Sequence, residues 1–311
     1  RAKVNISTVS RTINETGKIG ADTRARVLKV MDELGYKPNR VARRLRMQGG
    51  TTHLLGLIIP NIQNVFFADL ARGVEDVAYR NNFAVLLCNY DEDEEKERFY
   101  LDVMQAESVD GIILPPIHEI DPAVLQVVRN GVPVVCVDRS LSSGALDKVE
   151  VDNHMGAFKA VEHMIARGHR RIGLIGGPAN SSTGRERLLG YKDAHAAAGL
   201  PVKSELVRFG DFKEPSGVRL ADELLSLSNP PSALFVCNGL MMIGALEAIA
   251  ARGLKIPKQV ALVGFDELPL AAVFKPPLTV VKQPAYEVSK CAAELLLQRL
   301  EDTKRPPTSL K

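Results

Sequence analysis

Beyond residue 52 the chain alternates two hydrophobic patterns. Short apolar runs recur: LLGLII (54–59), FAVLLC (83–88), GIIL (111–114), VPVVCV (132–137), RIGLIG (171–176), SALFVC (232–237) and VALVGF (260–265). Runs of this length, rich in Val, Ile and Leu, predict strands buried on both faces. Between them, 67–81, 96–107 and 154–167 carry apolar residues at helical spacing. Strand alternating with helix predicts an α/β fold, a parallel sheet with helices on both faces. The pattern runs twice and changes near Val151-Asp152-Asn153. Two doubly wound subdomains are therefore expected.

The first fifty residues follow a different period. Asn5 is placed to cap a helix through Ile13, with Val9 and Ile13 on one face and Ile6, Ser7, Ser10 and Arg11 mostly off it. Glu15-Thr16-Gly17 ends that helix. A second is expected over 21–34, where Val27, Val30, Met31 and Leu34 form a stripe and Gly35 stops it. Two short helices bury little, so a third supporting helix is expected before Arg1, and the chain, lacking an initiator Met, reads as a fragment or processed product. Pro38 suits the first turn of a short helix over 38–47, crowded with arginines. Such a helix orders only when phosphates neutralise it. Residues 48–52 read as a linker.

Charge sharpens this division. The net charge of the 311 residues is +3. Residues 1–50 hold twelve Lys/Arg and four acids, a charge of +8, which leaves −5 on the remaining 261. A basic, structured segment on a mildly acidic body is a nucleic-acid footprint. Hydrophobic content of 45% and charged content of 25% are ordinary for a globular protein, and no apolar run is long enough to span a membrane. No secretory signal is seen, so a cytoplasmic protein is expected. The four cysteines lie far apart and suit core positions, not a disulfide framework or zinc site.

The run A-K-V-N-I-S-T-V-S-R-T-I-N, followed by T-R-A-R-V and E-L-G-Y-K-P-N-R-V-A-R-R-L, resembles the lactose/galactose repressor (LacI/GalR) family. The resemblance implies a helix-turn-helix headpiece, truncated here, and a hinge helix, together spanning 1–47. It implies that Ile6, Ser7 and Arg11 read base edges and that Ser10, Asn14, Lys18 and Thr23 touch phosphates. Arg11 is chemically suited to guanine. Asn39, Ala42 and Leu45 of the hinge also fall on the implied DNA face, Leu45 as a minor-groove wedge. Lys3 stands where the family's turn usually has Gly. The truncated headpiece is expected to bind DNA poorly, and the full-length protein well.

Parallel sheets bind ligands beyond the carboxyl ends of their strands. The residues there are Asn64, Phe66 and Phe67 after the first run, Asp138 and Arg139 after VPVVCV, Arg187 ending the loop after RIGLIG, Asn238 after SALFVC and Asp266 after VALVGF. Phe212 and Gln283 lie further on. Planar donors and acceptors with aromatic faces are what sugars need. Singly, an Asp after a strand is more often a helix cap, and Phe66-Phe67 more often core. Together they resemble, position by position, the sugar-contacting residues of ribose-binding-type proteins and sugar-responsive repressors. The body resembles periplasmic sugar-binding proteins. That resemblance implies three crossings between subdomains, with 53–151 and 281–311 forming one subdomain and 152–280 the other. Asp138-Arg139 favours a pentose or hexose over a purine. Gly239 replaces an Asp the family usually has after that Asn.

The expected protein is a homodimeric repressor of double-stranded operator DNA, switched by a small carbohydrate. A transport-type sugar-binding protein is the alternative, and residues 1–50 argue against it. No cofactor or metal is called for. There is no G-x-G-x-x-G, Walker A or H-E-x-x-H motif, so an enzyme is not expected. The acidic run 91–95 with Glu97 could suggest cation binding but reads as the solvated start of a helix, where acids complement the dipole.

Overall fold

The structure, a computed structural model, describes residues 2–13, 17–35, 51–142, 146–269 and 271–311. It divides into two units, 1–52 and 53–311. In the small unit, α1 (Ile6–Ile13) begins where the sequence predicts, with Asn5 Oδ1 accepting from Ser7 N–H at 3.1 Å. The second helix, α2 (Ala21–Glu33), buries Val27 and half-buries Val30 and Met31. Leu34, expected on the same stripe, is exposed. Gly35 stops the helix with φ +57, a left-handed angle glycine adopts without strain. Lys3 also has a left-handed φ of +50. That explains why glycine suits this turn; lysine there costs about 1 kcal/mol. The expected hinge over 38–47 lies outside the described residues.

The large unit holds two parallel sheets. The first uses β1 (Leu54–Ile59), β2 (Ala84–Asn89), β3 (Gly111–Leu114), β4 (Val134–Val137), β5 (Asp147–Val149) and β11 (Ser309–Leu310), in the order β2-β1-β3-β4-β5-β11. The second uses β6 (Ile172–Gly176), β7 (Val207–Phe209), β8 (Ala233–Val236), β9 (Ala261–Phe265) and β10 (Thr279–Val281), in the order β7-β6-β8-β9-β10. The two sheets repeat one winding, so each has its switch point at its first strand, β1 or β6. All seven expected strands are present. β5, β7, β10 and β11 were not expected, because two or three residues make no apolar run. The sequence of β5, Asp-Lys-Val, even reads as polar.

Helices cover both faces of the first sheet, which explains why its strands show no alternation. Leu55, Leu57 and Ile59 point to α3 (Val65–Arg80) and α10 (Ala285–Glu301). Ile58, Ile112 and Leu114 point to the other face, toward α4 (Glu94–Ala106) and α5 (Pro122–Arg129). Gly73 lets α3 and α10 approach closely: a Cβ there would lie 2.1 Å from Ser289 Oγ and 2.6 Å from the Tyr286 carbonyl. The second sheet is packed by α6 (Asn153–Ala166), α7 (Ser182–Ala197), α8 (Glu214–Leu225) and α9 (Gly239–Ala251) around Phe235, Tyr191 and Met242. Most strand-to-helix loops end in a side-chain cap, including Asp93, Asp121, Asp152 and Ser181. His169 closes its helix-to-strand turn by bonding Ser232 Oγ at 2.9 Å.

Among the described residues the chain crosses between subdomains twice. It leaves the first sheet after β5 and returns after β10; Val281 still pairs with Phe265 in the second sheet. β11 pairs with β5, which places residues 309–310 on the first sheet. There Asp147 accepts from Arg299 Nε at 2.9 Å, Arg299 Nη2 at 3.1 Å and Thr308 N–H at 2.7 Å, and its side chain is 1% exposed.

Candidate ligand cleft

One cleft lies between the carboxyl ends of the two sets of strands, and the ten body residues proposed from the sequence as effector contacts line it. From the first subdomain, the cap and first turn of α3 supply Asn64, Phe66 and Phe67, and the loop after β4 supplies Asp138 and Arg139. From the second come Arg187 on the first turns of α7, Phe212 after β7, Asn238 after β8 and Asp266 after β9. Gln283 lies on the returning crossing. The cleft lies where the two windings reverse, as expected for a doubly wound sheet.

Backbone strain marks the same place. Asp138, Phe212 and Asp266 have φ of +63, +64 and +79. Left-handed non-glycine residues are uncommon and tend to gather at functional sites. At Asp138 the bend is tight: Arg139 N–H donates to the Val137 carbonyl at 2.6 Å. Among the described residues no helix directly follows β4 for Asp138 to cap, and both charged side chains line the cleft.

Several cleft residues are fixed by scaffold bonds. Asn64 and Asn238 do cap α3 and α9, each carbonyl oxygen accepting a helix N–H. The Asn238 amide also donates to the Phe212 carbonyl at 2.9 Å, which positions that ring. Arg187 Nε donates to Asn153 Oδ1 at 2.9 Å, its Nη1 donates to the Cys237 carbonyl, and its guanidinium lies 3.8 Å from the Phe265 ring centre. Asp266 Oδ2 accepts from Gly239 N–H at 3.1 Å, and its Oδ1 accepts from Gln283 Nε2. At Gly239 a Cβ would lie 3.5 Å from Asp266 Cβ, with room for it. An aspartate there would set a second carboxylate against Asp266.

Three polar atoms in the cleft are buried without a hydrogen bond: Asp138 Oδ1, Arg139 Nε and Gln283 Oε1. Such atoms cost about 1–3 kcal/mol each when unsatisfied. They offer two acceptors and one donor. Burial pushes the Asp138 carboxyl up to about 6, against the pull of Arg139 and Arg187. The Phe66 and Phe67 rings meet edge to face, centroids 5.0 Å apart, and supply apolar faces.

Sequence reasoning missed five lining residues: Asn61, Glu92, Thr183, Lys213 and Leu240. Glu92 and Glu97 correct the reading of 91–95 with Glu97 as a solvated helix start. Glu92 pairs with Arg139 inside the cleft, Oε2 accepting from Nη1 at 2.7 Å. Glu97 is buried, its Oε1 accepting from Ile117 N–H at 3.2 Å. For Glu92, the position three residues past β2 was the available signal. Lys213 follows β7, a strand too short to be seen beforehand. At the rim, Asn180 bonds His118 at 2.9 Å and Arg185 pairs with Glu119 at 2.9 Å, joining the two subdomains.

In the small unit, Ile6, Ser7, Arg11 and Lys18 are exposed, and Ser10 and Thr23 are half-buried. Ile6, with 78% of its surface open to water, and Arg11 share the outer part of α1. Asn14, Asn39, Ala42 and Leu45 lie outside the described residues.

Two doubly wound subdomains facing each other across such a cleft define an effector-binding body of the periplasmic-binding-protein kind. Residues 52–311 match the model of periplasmic binding proteins and the sugar-binding domain of the LacI family, and residues 1–39 match that of bacterial regulatory proteins of the lacI family. The chain belongs to the LacI family and is a DNA-binding transcriptional regulator of the repressor type. It is 36% identical over 299 residues to catabolite control protein A of Priestia megaterium, covering 95% of this chain and 89% of that one. It is 34% identical over 305 residues to the transcriptional repressor PurR of Aliivibrio fischeri, covering 97% and 90%. The solved complex of the regulator CelR with cellobiose is 32% identical with a TM-score of 0.77, covering 99% and 93%.

Proposed function

We propose that this chain is a cytoplasmic, homodimeric repressor whose operator affinity is switched by a pentose or hexose held in the cleft. The observation that carries this is the set of buried, unbonded atoms on Asp138, Arg139 and Gln283 beside two aromatic faces. Adjacent hydroxyls can donate to the two acceptors and accept from the donor, and a ring face can lie on Phe66, Phe67 or Phe212. The effector site comprises Asn64, Phe66, Phe67, Asp138, Arg139, Arg187, Phe212, Asn238, Asp266 and Gln283.

Such a ligand grips loops of both subdomains at once. It therefore favours one arrangement of them, and the favoured arrangement sets the spacing of the paired headpieces. The DNA-binding segment is 1–47, its hinge 38–47, and the effector body is 53–151 with 281–311 and 152–280. Operator and effector must alter each other's affinity by one shared factor. A gel-shift titration on the operator, with pentoses, hexoses, sugar phosphates and purines, tests the reading. A purine that alters operator binding while no sugar does would overturn it.

Two expected results follow from named residues. A hydroxyl donating to Asp138 requires the carboxylate. Effector affinity is thus expected to be level above pH 7 and to fall toward tenfold per pH unit below about 6. Calorimetry from pH 5 to 8 checks this; undiminished affinity at pH 5 removes Asp138 as an acceptor. In the headpiece, Arg11→Ala is expected to cost about 1–3 kcal/mol on the operator and far less on random DNA. Equal loss on both would contradict a base-reading role.

A further inference from the structure

Glu92 reaches the cleft through an unusual turn. Asp91 and Glu92 both have left-handed backbones, φ +57 and +58, and two such residues in succession are strained. The turn is braced from outside. Asn89 Nδ2 donates to Asp91 Oδ1 at 2.6 Å, and Lys96 Nζ lies 2.6 Å from Asp91 Oδ2. The result is that both Glu92 carboxylate oxygens meet the two terminal nitrogens of Arg139. Both side chains are largely withdrawn from water, at 14% and 4% exposed.

The charges lining the cleft then balance: Glu92, Asp138 and Asp266 against Arg139, Arg187 and Lys213. Without Glu92 the cleft would be cationic and would present an unoccupied guanidinium fork. That fork matches phosphate oxygens as well as it matches a carboxylate. A phosphate ester entering the cleft must displace Glu92, or lie beside its charge in a water-poor site.

We propose that Glu92 is a specificity residue that reserves the cleft for uncharged sugars by occupying the Arg139 fork and denying it to the phosphate of a sugar phosphate. The proposal rests on the carbohydrate reading of the cleft. It separates the role of Glu92 from that of the residues that hold the sugar itself.

Calorimetry on the full chain tests it, with D-ribose, D-ribose 5-phosphate, D-glucose and D-glucose 6-phosphate as probes. Wild type is expected to bind at least one free sugar about a hundredfold more tightly than its ester, since a like-charge contact away from water is costly. Glu92→Gln is expected to shrink that ratio at least about tenfold, and Glu92→Asp, which keeps the charge, to preserve it. A purely structural role would weaken sugar and ester alike and leave the ratio unchanged, which overturns the proposal. Equal affinity of wild type for a sugar and its ester overturns it too, even if Glu92→Gln does not fold. If wild type binds an ester and neither free sugar, the proposal fails outright. If it binds none of the four probes, the carbohydrate reading fails and the proposal with it.

Discussion

Asp266→Ala is expected to abolish the effector response while leaving operator binding intact. Asp266 is buried and fully engaged, accepting from Gly239 N–H and from the Gln283 amide. It holds the loop after β9 to the start of α9 and to the returning crossing. Alanine removes the carboxylate and leaves two donors unpaired, at about 1–3 kcal/mol each, and adds about 1 kcal/mol for a left-handed alanine. Effector affinity should fall by at least about a hundredfold, equivalent to about 3 kcal/mol. Asp266→Asn keeps an acceptor oxygen and should lose less, about tenfold. Calorimetry reads the affinity, and gel shift reads the operator. An Asp266→Ala protein that still answers the effector would remove Asp266 from the site. Arg187→Ala, the obvious companion, is a poorer probe. Its guanidinium ties α6 to the end of β8 and lies over Phe265, so its loss mixes binding with stability.

The second large effect is on stability. Arg299→Ala is expected to destabilise the body by about 3–5 kcal/mol, because it strips the cation from a carboxylate that cannot reach water. Asp147 would keep one hydrogen bond, from Thr308 N–H. Arg299 also donates to the carbonyls of Arg305 and Pro306, so the strap leading into β11 loosens with it. For a body of this size the loss corresponds to roughly 6–20 °C in melting temperature. Thermal unfolding measures it; a wild-type melting temperature would show that the pair contributes little. Asp147→Ala combined with Arg299→Ala should be less harmful than the two single losses added, since the second change removes the orphaned charge.

The contrast between those two residues shows what the sequence made legible. Asp266 stood directly after a five-residue apolar strand, and the rule that ligands gather at strand ends pointed to it. The same rule found Asn64, Asp138 and Asn238. Arg299 carried no such signal: it lies on a helix, and its partner sits in β5, a strand with no apolar run of its own. Short strands explain the missed Lys213 as well. Glu92 was misread for a different reason. An acidic run before a helix complements the dipole, and Asp93 and Glu94 do behave that way, but a left-handed turn points their neighbour inward. Backbone handedness at a non-glycine residue is invisible in the letters. Leu34 shows the opposite failure, where helical spacing placed on a buried face a side chain that is exposed.

The doubling back of the chain has a consequence for the order in which the protein is made. The second subdomain is one continuous stretch, so it can finish folding as soon as β10 has left the ribosome. The first subdomain is begun earlier but lacks α10 and β11 until residues 285–310 are translated. Until then the face of β1 bearing Leu55, Leu57 and Ile59 has α3 but not its second covering helix. The pairing of β11 with β5 closes a loop of about 160 residues, a contact that pays its chain entropy late. The wall that carries Asp138 and Arg139 is thus translated before its opposite, yet it is the last to be completed. An unfinished chain would show an apolar sheet face to chaperones and neighbouring chains during that interval.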